Sequence, residues 1–287
     1  MNRIWRNTII NDTYEPGSTF KVITATAALD SGSVTLNNHY SCSGRIHVAD
    51  RFVRCANARG HGVQTFAQSL QNSCNPAFIT WGLMTGKDNM VKYMESLGLY
   101  SKTGVDLPGE AGSIIHKTEN IKELDLAIMS FGQSFQITPL QLLRAVSAVV
   151  NGGKLVTPHF GVKKIDTEGN ISVLEYEESG TIIKQSTTET MRGLLKNVVE
   201  LGGGLNCRIE GYSIAGKTAT SEKLPRGNGK YIASFIGIAP AENPQVIAMC
   251  IIDEPVGMHY GGVIAAPVVK SLFENILPYL GIEKGQM

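Results

Sequence analysis

Tyr14-Glu15-Pro16-Gly17-Ser18-Thr19-Phe20-Lys21 is a turn that runs straight into a helix. Pro16-Gly17 is a strong turn signal, and the residues from Ser18 to Leu29 (STFKVITATAAL) contain no helix breaker. The reading places Ser18 in the first helical turn, where free backbone N–H groups and the positive end of the helix dipole favour a developing negative charge. Lys21, three residues on, falls on the same face as Ser18. A serine hydroxyl is a poor nucleophile alone, and an adjacent amine of lowered pKa is a suitable base for its proton. The helix is apolar or small almost all round (Phe20, Val22, Ile23, Ala25, Ala27, Ala28, Leu29), the pattern of a buried helix. Taken alone, Ser18 also reads as an N-cap and Lys21 as a solvated first-turn residue, because S-x-x-K is common by chance.

The whole chain has room for a substantial core: 287 residues, 43% hydrophobic, with net charge +1. Balanced charge without a long basic run argues against nucleic acid as a partner. No apolar run reaches the ~18 residues of a membrane span. Five cysteines (42, 55, 74, 207 and 250) are an odd number, which fits a complete disulfide framework poorly.

Outward from the serine turn, Asp30-Ser31-Gly32-Ser33 ends the first helix. Residues 37–62 are polar, broken by glycine, and read as an irregular surface excursion over that helix. Helices are expected over 63–70, 77–98, 121–129, 139–150 (with Pro139 in its first turn), 189–200 and 266–280. A small hairpin turns at Glu168-Gly169-Asn170. Three strands are expected at 212–217, 231–239 and 246–252, the last two apolar enough to be buried on both faces. The sum is an α+β fold in three layers, helices on both sides of an antiparallel sheet.

Two more short motifs follow the first in order: Ser73-Cys74-Asn75 and Lys217-Thr218-Ala219-Thr220. Each suits a chemical task. The Ser73 hydroxyl can relay a proton between Lys21 and a leaving amine, and the Asn75 amide can hold the lysine and a substrate. Lys217 offers positive charge, and Thr218 and Thr220 offer hydroxyls to a carboxylate. The backbone N–H groups of Ser18 and Thr220 suit an oxyanion hole.

Three motifs of these types in this order mark penicillin-binding proteins and related serine enzymes. The chain resembles the transpeptidase domain of class B penicillin-binding proteins of the division and sporulation type. The flanking phrases carry the resemblance over nearly the whole chain: Tyr14 to Gly17, Thr103 to Glu110 (TGVDLPGE), Phe131-Gly132-Gln133, Thr138 to Leu142, Asn151-Gly152-Gly153, Tyr260-Gly261-Gly262 and Ala265-Ala266-Pro267. The resemblance implies that 1–287 is one transpeptidase domain of a longer, membrane-anchored protein acting outside the cytoplasm. It implies that Ser18 is the acylated nucleophile, Lys21 its base, Ser73 and Asn75 the second motif, and Lys217, Thr218 and Thr220 the third. Peptidoglycan stem peptides ending D-Ala-D-Ala are the implied substrates, β-lactams the implied inhibitors, and a glycosyltransferase of the cell-wall machinery the implied partner. A serine β-lactamase, a β-lactam sensor or a non-catalytic scaffold are the competing readings; the penicilloyl adduct of a lactamase is far shorter-lived than that of a transpeptidase, and a scaffold is not labelled by penicillin. The chain departs from the family in having Ala219 where the third motif has Gly. It also has only 17 residues before Ser18, so the sheet is expected to lack the family's first strands.

Cys42, Cys55 and His61 offer three ligands for tetrahedral zinc, although their spacing is not that of short paired-cysteine sites. A Cys42–Cys55 disulfide and two free thiols remain open from the residues alone. Some relatives within the resembled branch bind zinc beside the active site, which favours a structural metal here. Asp12, His47 and Asp50 are the candidate fourth ligands, with Asp12 preferred because it would tie the excursion to the serine turn. Cys74, Cys207 and Cys250 read as packing.

Overall fold

A computed structural model describes residues 6–285. A one-turn helix, α1 (Thr8–Asn11), leads to the serine turn. Gly17–Phe20 is a 3-10 helix that passes directly into α2 (Lys21–Asp30), all of whose residues but Leu29 are buried. The helix proper therefore begins at Lys21 rather than at Ser18. Its apolar sides all find partners, which is why so uniform a sequence is stable as a helix.

The excursion is more ordered than its composition suggests. β1 (His39–Cys42) pairs antiparallel with β4 (Gly62–Thr65), and β2 (Arg45–Val48) forms a hairpin with β3 (Arg51–Arg54). The hairpin settles because alternate residues Ile46, Val48 and Val53 pack on Ile79, Ala127 and Phe131. α3 (Phe66–Gln71) follows, opened by a Thr65–Gln68 capping box. The 77–98 helix is in fact two, α4 (Asn75–Thr85) and α5 (Lys87–Ser96), divided at Gly86, whose φ of 79° suits glycine. α6 (Glu123–Met129) and α7 (Pro139–Val150) stand where the sequence puts them, α7 with Pro139 at its start and a Thr138–Gln141 box.

β5 (Lys154–Val156) pairs with β8 (Glu178–Thr181), enclosing the hairpin of β6 (Lys163–Ile165) and β7 (Ile171–Val173). α8 (Gln185–Leu201) then crosses back to the main sheet. That sheet has the order β11-β10-β9, antiparallel throughout: β9 (Ala215–Glu222), β10 (Tyr231–Ala239) and β11 (Val246–Asp253). α9 (Gly261–Ile264) and α10 (Ala266–Tyr279) close the chain.

Helices cover both faces of the sheet. Ile236 and Ile238 face the large helical core that contains Phe20, Phe78 and Trp81. Phe235 and Ala239 face the other way, onto Val269, Phe273 and Leu277 of α10. Alternation along β10 feeds the two cores separately. β11 is only half-buried, not buried on both faces as its apolar sequence suggests; it is an edge strand of the described sheet, and less packs on it than on β9 at the other edge. No helix among the described residues is long and apolar enough to cross a membrane.

Candidate active site

The serine turn is held by three different parts of the chain. The N–H of Gly17 donates to the carbonyl of Gly132 (2.8 Å), and Tyr14 and Ile137 exchange backbone hydrogen bonds of 3.0 and 3.1 Å. The Glu15 carboxylate accepts from the N–H of Ser134 (2.8 Å) and pairs with Arg226 from the β9–β10 loop. The approach is tight enough that glycine is required at both contact points. A Cβ on Gly132 would sit 2.1 Å from the Gly17 carbonyl oxygen, and one on Gly17 would sit 1.9 Å from the Ser221 hydroxyl. Gly17 and Gly132 also have φ of 56° and 85°.

Lys21 is fully buried, and its Nζ donates to the Ser73 carbonyl (2.6 Å) and the Asn75 Oδ1 (2.7 Å), with the Ser73 hydroxyl at 3.2 Å. Ser73 reaches this place from a strained turn, φ 52°, between α3 and α4. Lys217, 1% exposed, donates from β9 to the same hydroxyl (3.0 Å) and to the Thr218 carbonyl (3.0 Å). The two lysines therefore share Ser73. Burial lowers the Lys21 pKa to about 7, against a smaller opposite effect of Cys74 and Cys55. Burial also pushes Lys217 well below its ordinary value, and the nearby Lys21 adds to this. With two donors committed to carbonyl oxygens, a neutral Lys21 keeps its lone pair for a hydroxyl proton. The half-buried Ser18 lies in the 3-10 turn immediately before α2, three residues ahead of Lys21.

The structure thus brings Lys21, Ser73, Asn75 and Lys217 together from α2, the α3–α4 turn and β9, with Ser18 on the 3-10 turn that leads into Lys21. On β9, Lys217 and Ala219 lie on the inner face while Thr218 and Thr220 are more exposed. The Thr220 hydroxyl accepts from the N–H of Gly261 (3.1 Å), which joins the third motif to the Tyr260-Gly261-Gly262 phrase. The Ala219 methyl lies beneath the strand against Gly17, the residue before the serine: a Cβ built on Gly17 would be 3.7 Å from it.

The matching family description is the penicillin binding protein transpeptidase domain, over residues 1–274. The chain belongs to this family. Among its relatives, stage V sporulation protein D of Bacillus subtilis (strain 168) is 39% identical over 285 residues, covering 97% of this chain and 44% of that protein. Peptidoglycan D,D-transpeptidase FtsI of Escherichia coli (strain K12) is 29% identical over 288 residues, 97% of this chain and 46% of that protein. The chain spans less than half the length of either. The apo transpeptidase domain of penicillin-binding protein 3 from Burkholderia pseudomallei superposes with a TM-score of 0.86 at 27% identity, covering 99% of this chain and 85% of that one. Penicillin-binding protein 3 of Mycobacterium tuberculosis, complexed with aztreonam, gives a TM-score of 0.89 at 24% identity over 98% of this chain and 66% of that one, a likeness of fold.

In this transpeptidase domain a second group of reactive side chains adjoins the second motif. Cys42, Cys55, His61 and Cys74 present their sulfurs and an imidazole nitrogen within 4.8 Å of one another. The Cys55 and Cys74 sulfurs are 4.0 Å apart, and Cys55 is 3.6 Å from His61 Nδ1. The Cys55 pKa falls to about 5, chiefly through its hydrogen bond with Cys74, whose own pKa is raised in turn by that bond and by burial. All five cysteines are free, so the Cys42–Cys55 disulfide is not formed.

Asp12 is not brought to this cluster. It bonds Arg6 (2.6 Å from Nε) and lines a groove of about 850 Å³ with Tyr14, Met249 and Ile251 on the far side of the serine turn. His47 lies tilted against Phe52 and Asp50 pairs with Arg51, so neither is drawn in. The fourth member is Cys74, read from sequence as packing. Its place inside the second motif, one residue from Ser73 and from Asn75, was the available signal.

Proposed function

We propose that this chain is the catalytic domain of a serine D,D-transpeptidase that cross-links peptidoglycan stem peptides through an acyl-enzyme on Ser18. The supporting observation is the shared hold of Lys21 and Lys217 on Ser73 beside a serine at the head of α2. Ser18 Oγ attacks the penultimate D-Ala carbonyl while its proton passes to the neutral Lys21 Nζ. The tetrahedral oxyanion is received by the N–H groups of Ser18 and Thr220. Collapse breaks the peptide bond, and the departing D-Ala amine takes a proton from Lys21 through the Ser73 hydroxyl. An amine of a neighbouring strand then attacks the ester, gives up its proton along the reverse route, and restores Ser18. Lys217, Thr218 and Thr220 hold the substrate carboxylate. β-Lactams enter by the same acylation and leave slowly. Intact mass after penicillin tests the reading: one adduct is expected on the parent chain and none on Ser18→Ala. Full labelling of that variant would refute it.

The same reading includes a structural zinc held by Cys42, Cys55, His61 and Cys74. The donor set fits: three thiols and one imidazole form a closed tetrahedral site, for which a sulfur–metal length of about 2.3 Å sets sulfur–sulfur separations of about 3.8 Å. The 4.0 Å between Cys55 and Cys74 is near that value. The metal would stiffen the turn that carries Ser73 and Asn75 and take no part in acyl transfer. Elemental analysis of protein prepared without chelator should find one zinc per chain. In the full-length protein the reading entails membrane anchorage, action outside the cytoplasm and a glycosyltransferase supplying the glycan, which co-purification would test.

A further inference from the structure

Between residues 31 and 86 the chain has four arginines (45, 51, 54 and 59) and one acidic residue, Asp50, although its overall charge is nearly balanced. All four arginines are exposed, and they sit on or beside the β2–β3 hairpin. The apolar side of that hairpin is spent on Ile79, Ala127 and Phe131, so its outer face carries Arg45, His47, Phe52 and Arg54. Arg45 and Arg54 are direct cross-strand partners. Like charges so placed repel and destabilise the pair of strands. Asp50 is occupied by Arg51 at 3.7 Å, and among the described residues no carboxylate comes within ion-pair distance of Arg45, Arg54 or Arg59. The Arg45 guanidinium lies over the Phe52 ring at 4.7 Å, and Phe52 is 60% exposed although tilted against His47. An exposed aromatic that orients a guanidinium with no anion of its own is a costly surface for stability alone.

The position of this face gives it a use. The Arg54 carbonyl accepts from Asn75 Nδ2 (3.3 Å), and the other end of the same amide holds Lys21. The strand that carries Arg54 is therefore tied through one amide side chain to Lys21.

We propose that the outer face of the β2–β3 hairpin, chiefly the cross-strand pair Arg45 and Arg54 with Phe52 beneath the Arg45 guanidinium, binds internal carboxylates of an acidic stem peptide as it runs away from the scissile bond. This deepens the transpeptidase reading and rests on it. Paired guanidinium forks match carboxylates in geometry as well as charge, and an arriving anion relieves the cross-strand repulsion. The hairpin adjoins the second motif through the Asn75 amide, and its outer face supplies no group to acyl transfer. It therefore sets which peptide is held rather than how fast the bond breaks.

Two synthetic peptides ending D-Ala-D-Ala test this, one with free internal carboxylates and one with the same groups as amides. The parent chain should release D-Ala from the acidic peptide with a kcat/KM about tenfold higher, carried by KM, and this advantage should shrink as salt is raised. Arg45→Gln/Arg54→Gln should lose the advantage while acylation by penicillin stays within about twofold. Arg45→Lys/Arg54→Lys should recover part of it. Calorimetry of both peptides on Ser18→Ala reads binding apart from turnover. Absence of turnover and penicillin acylation in the parent chain would count against the proposed reaction. Equal binding of the two peptides would overturn the arginine face by itself. An advantage that survives in the glutamine variant, or a parent preference insensitive to salt, would overturn it as well. The salt comparison on the parent chain needs no variant, so it decides the question even where the glutamine protein does not fold.

Discussion

Lys21 is fully buried, and the groups that it donates to are a carbonyl, an amide and a hydroxyl, none of them a carboxylate. Burial alone brings its pKa to about 7, and the sign of the pH dependence follows. In the proposed mechanism the neutral amine is the base, so acylation by penicillin should fall about tenfold per pH unit below that value and level off above it. A rate independent of pH from 5.5 to 8.5 would remove Lys21 from that role. Gly17 is the other residue on which the site turns. An added methyl meets the Ser221 hydroxyl and must hold φ at 56°, so Gly17→Ala should slow acylation by at least about tenfold. Ala219 sits opposite at ordinary contact distance, and the strand already accommodates it. Ala219→Gly should therefore accelerate acylation by no more than about threefold, measured as the rate of adduct formation.

At the scale of elements, a chain segment that looks structureless is ordered by what it covers. The strands between residues 39 and 65 carry Cys42, Cys55 and His61 to the turn before α4, where Cys74 meets them. A metal bound only in the folded state adds stability, which a chelator removes. Cys74→Ser, or prolonged chelation, should lower the melting temperature and slow acylation although Ser18 is untouched. Asp12→Ala, which severs only an exposed pair with Arg6, should leave metal content and acylation unchanged. Loss of metal in Asp12→Ala with retention in Cys74→Ser would reverse the assignment. Reductant should have no effect, because no disulfide is present.

For the whole molecule, the candidate catalytic residues come from two bodies of packing: α2 and the α3–α4 turn belong to the helical core, β9 to the sheet. The Glu15–Arg226 pair, with the Glu15 side chain only 10% exposed, ties the serine turn to the β9–β10 loop across that seam. Glu15→Gln should cost about 1–2 kcal/mol in urea unfolding and should slow acylation more than it weakens folding. A double-mutant cycle with Arg226→Ala should show that most of the loss is shared; fully additive effects would show that the pair does not act as a tie. The groove beside Tyr14 and Met249 and the half-buried β11 mark where the described sheet has an unpaired edge. That pairing requirement is a property of the sheet and is not visible in the strand's own composition.

The sequence by itself determined the three motifs and their order, the uniformly apolar serine helix, and the period of the strands and late helices. Each of these is a local pattern, and local patterns survive without knowledge of neighbours. The turn residues did the same for α7, whose proline and capping box are written within five positions. Tertiary structure decided the rest. Cys74 joins the cluster of Cys42, Cys55 and His61 and Asp12 does not, because such groups are assembled by which turns meet in space, and the separation along the chain carries little of that. The 3-10 geometry at Ser18, the break at Gly86 and the ordering of the excursion depend on close backbone approaches and on surfaces contributed by remote segments. The half-burial of β11 has the same origin: a strand's own residues specify what it can bury, and its neighbours specify what it does.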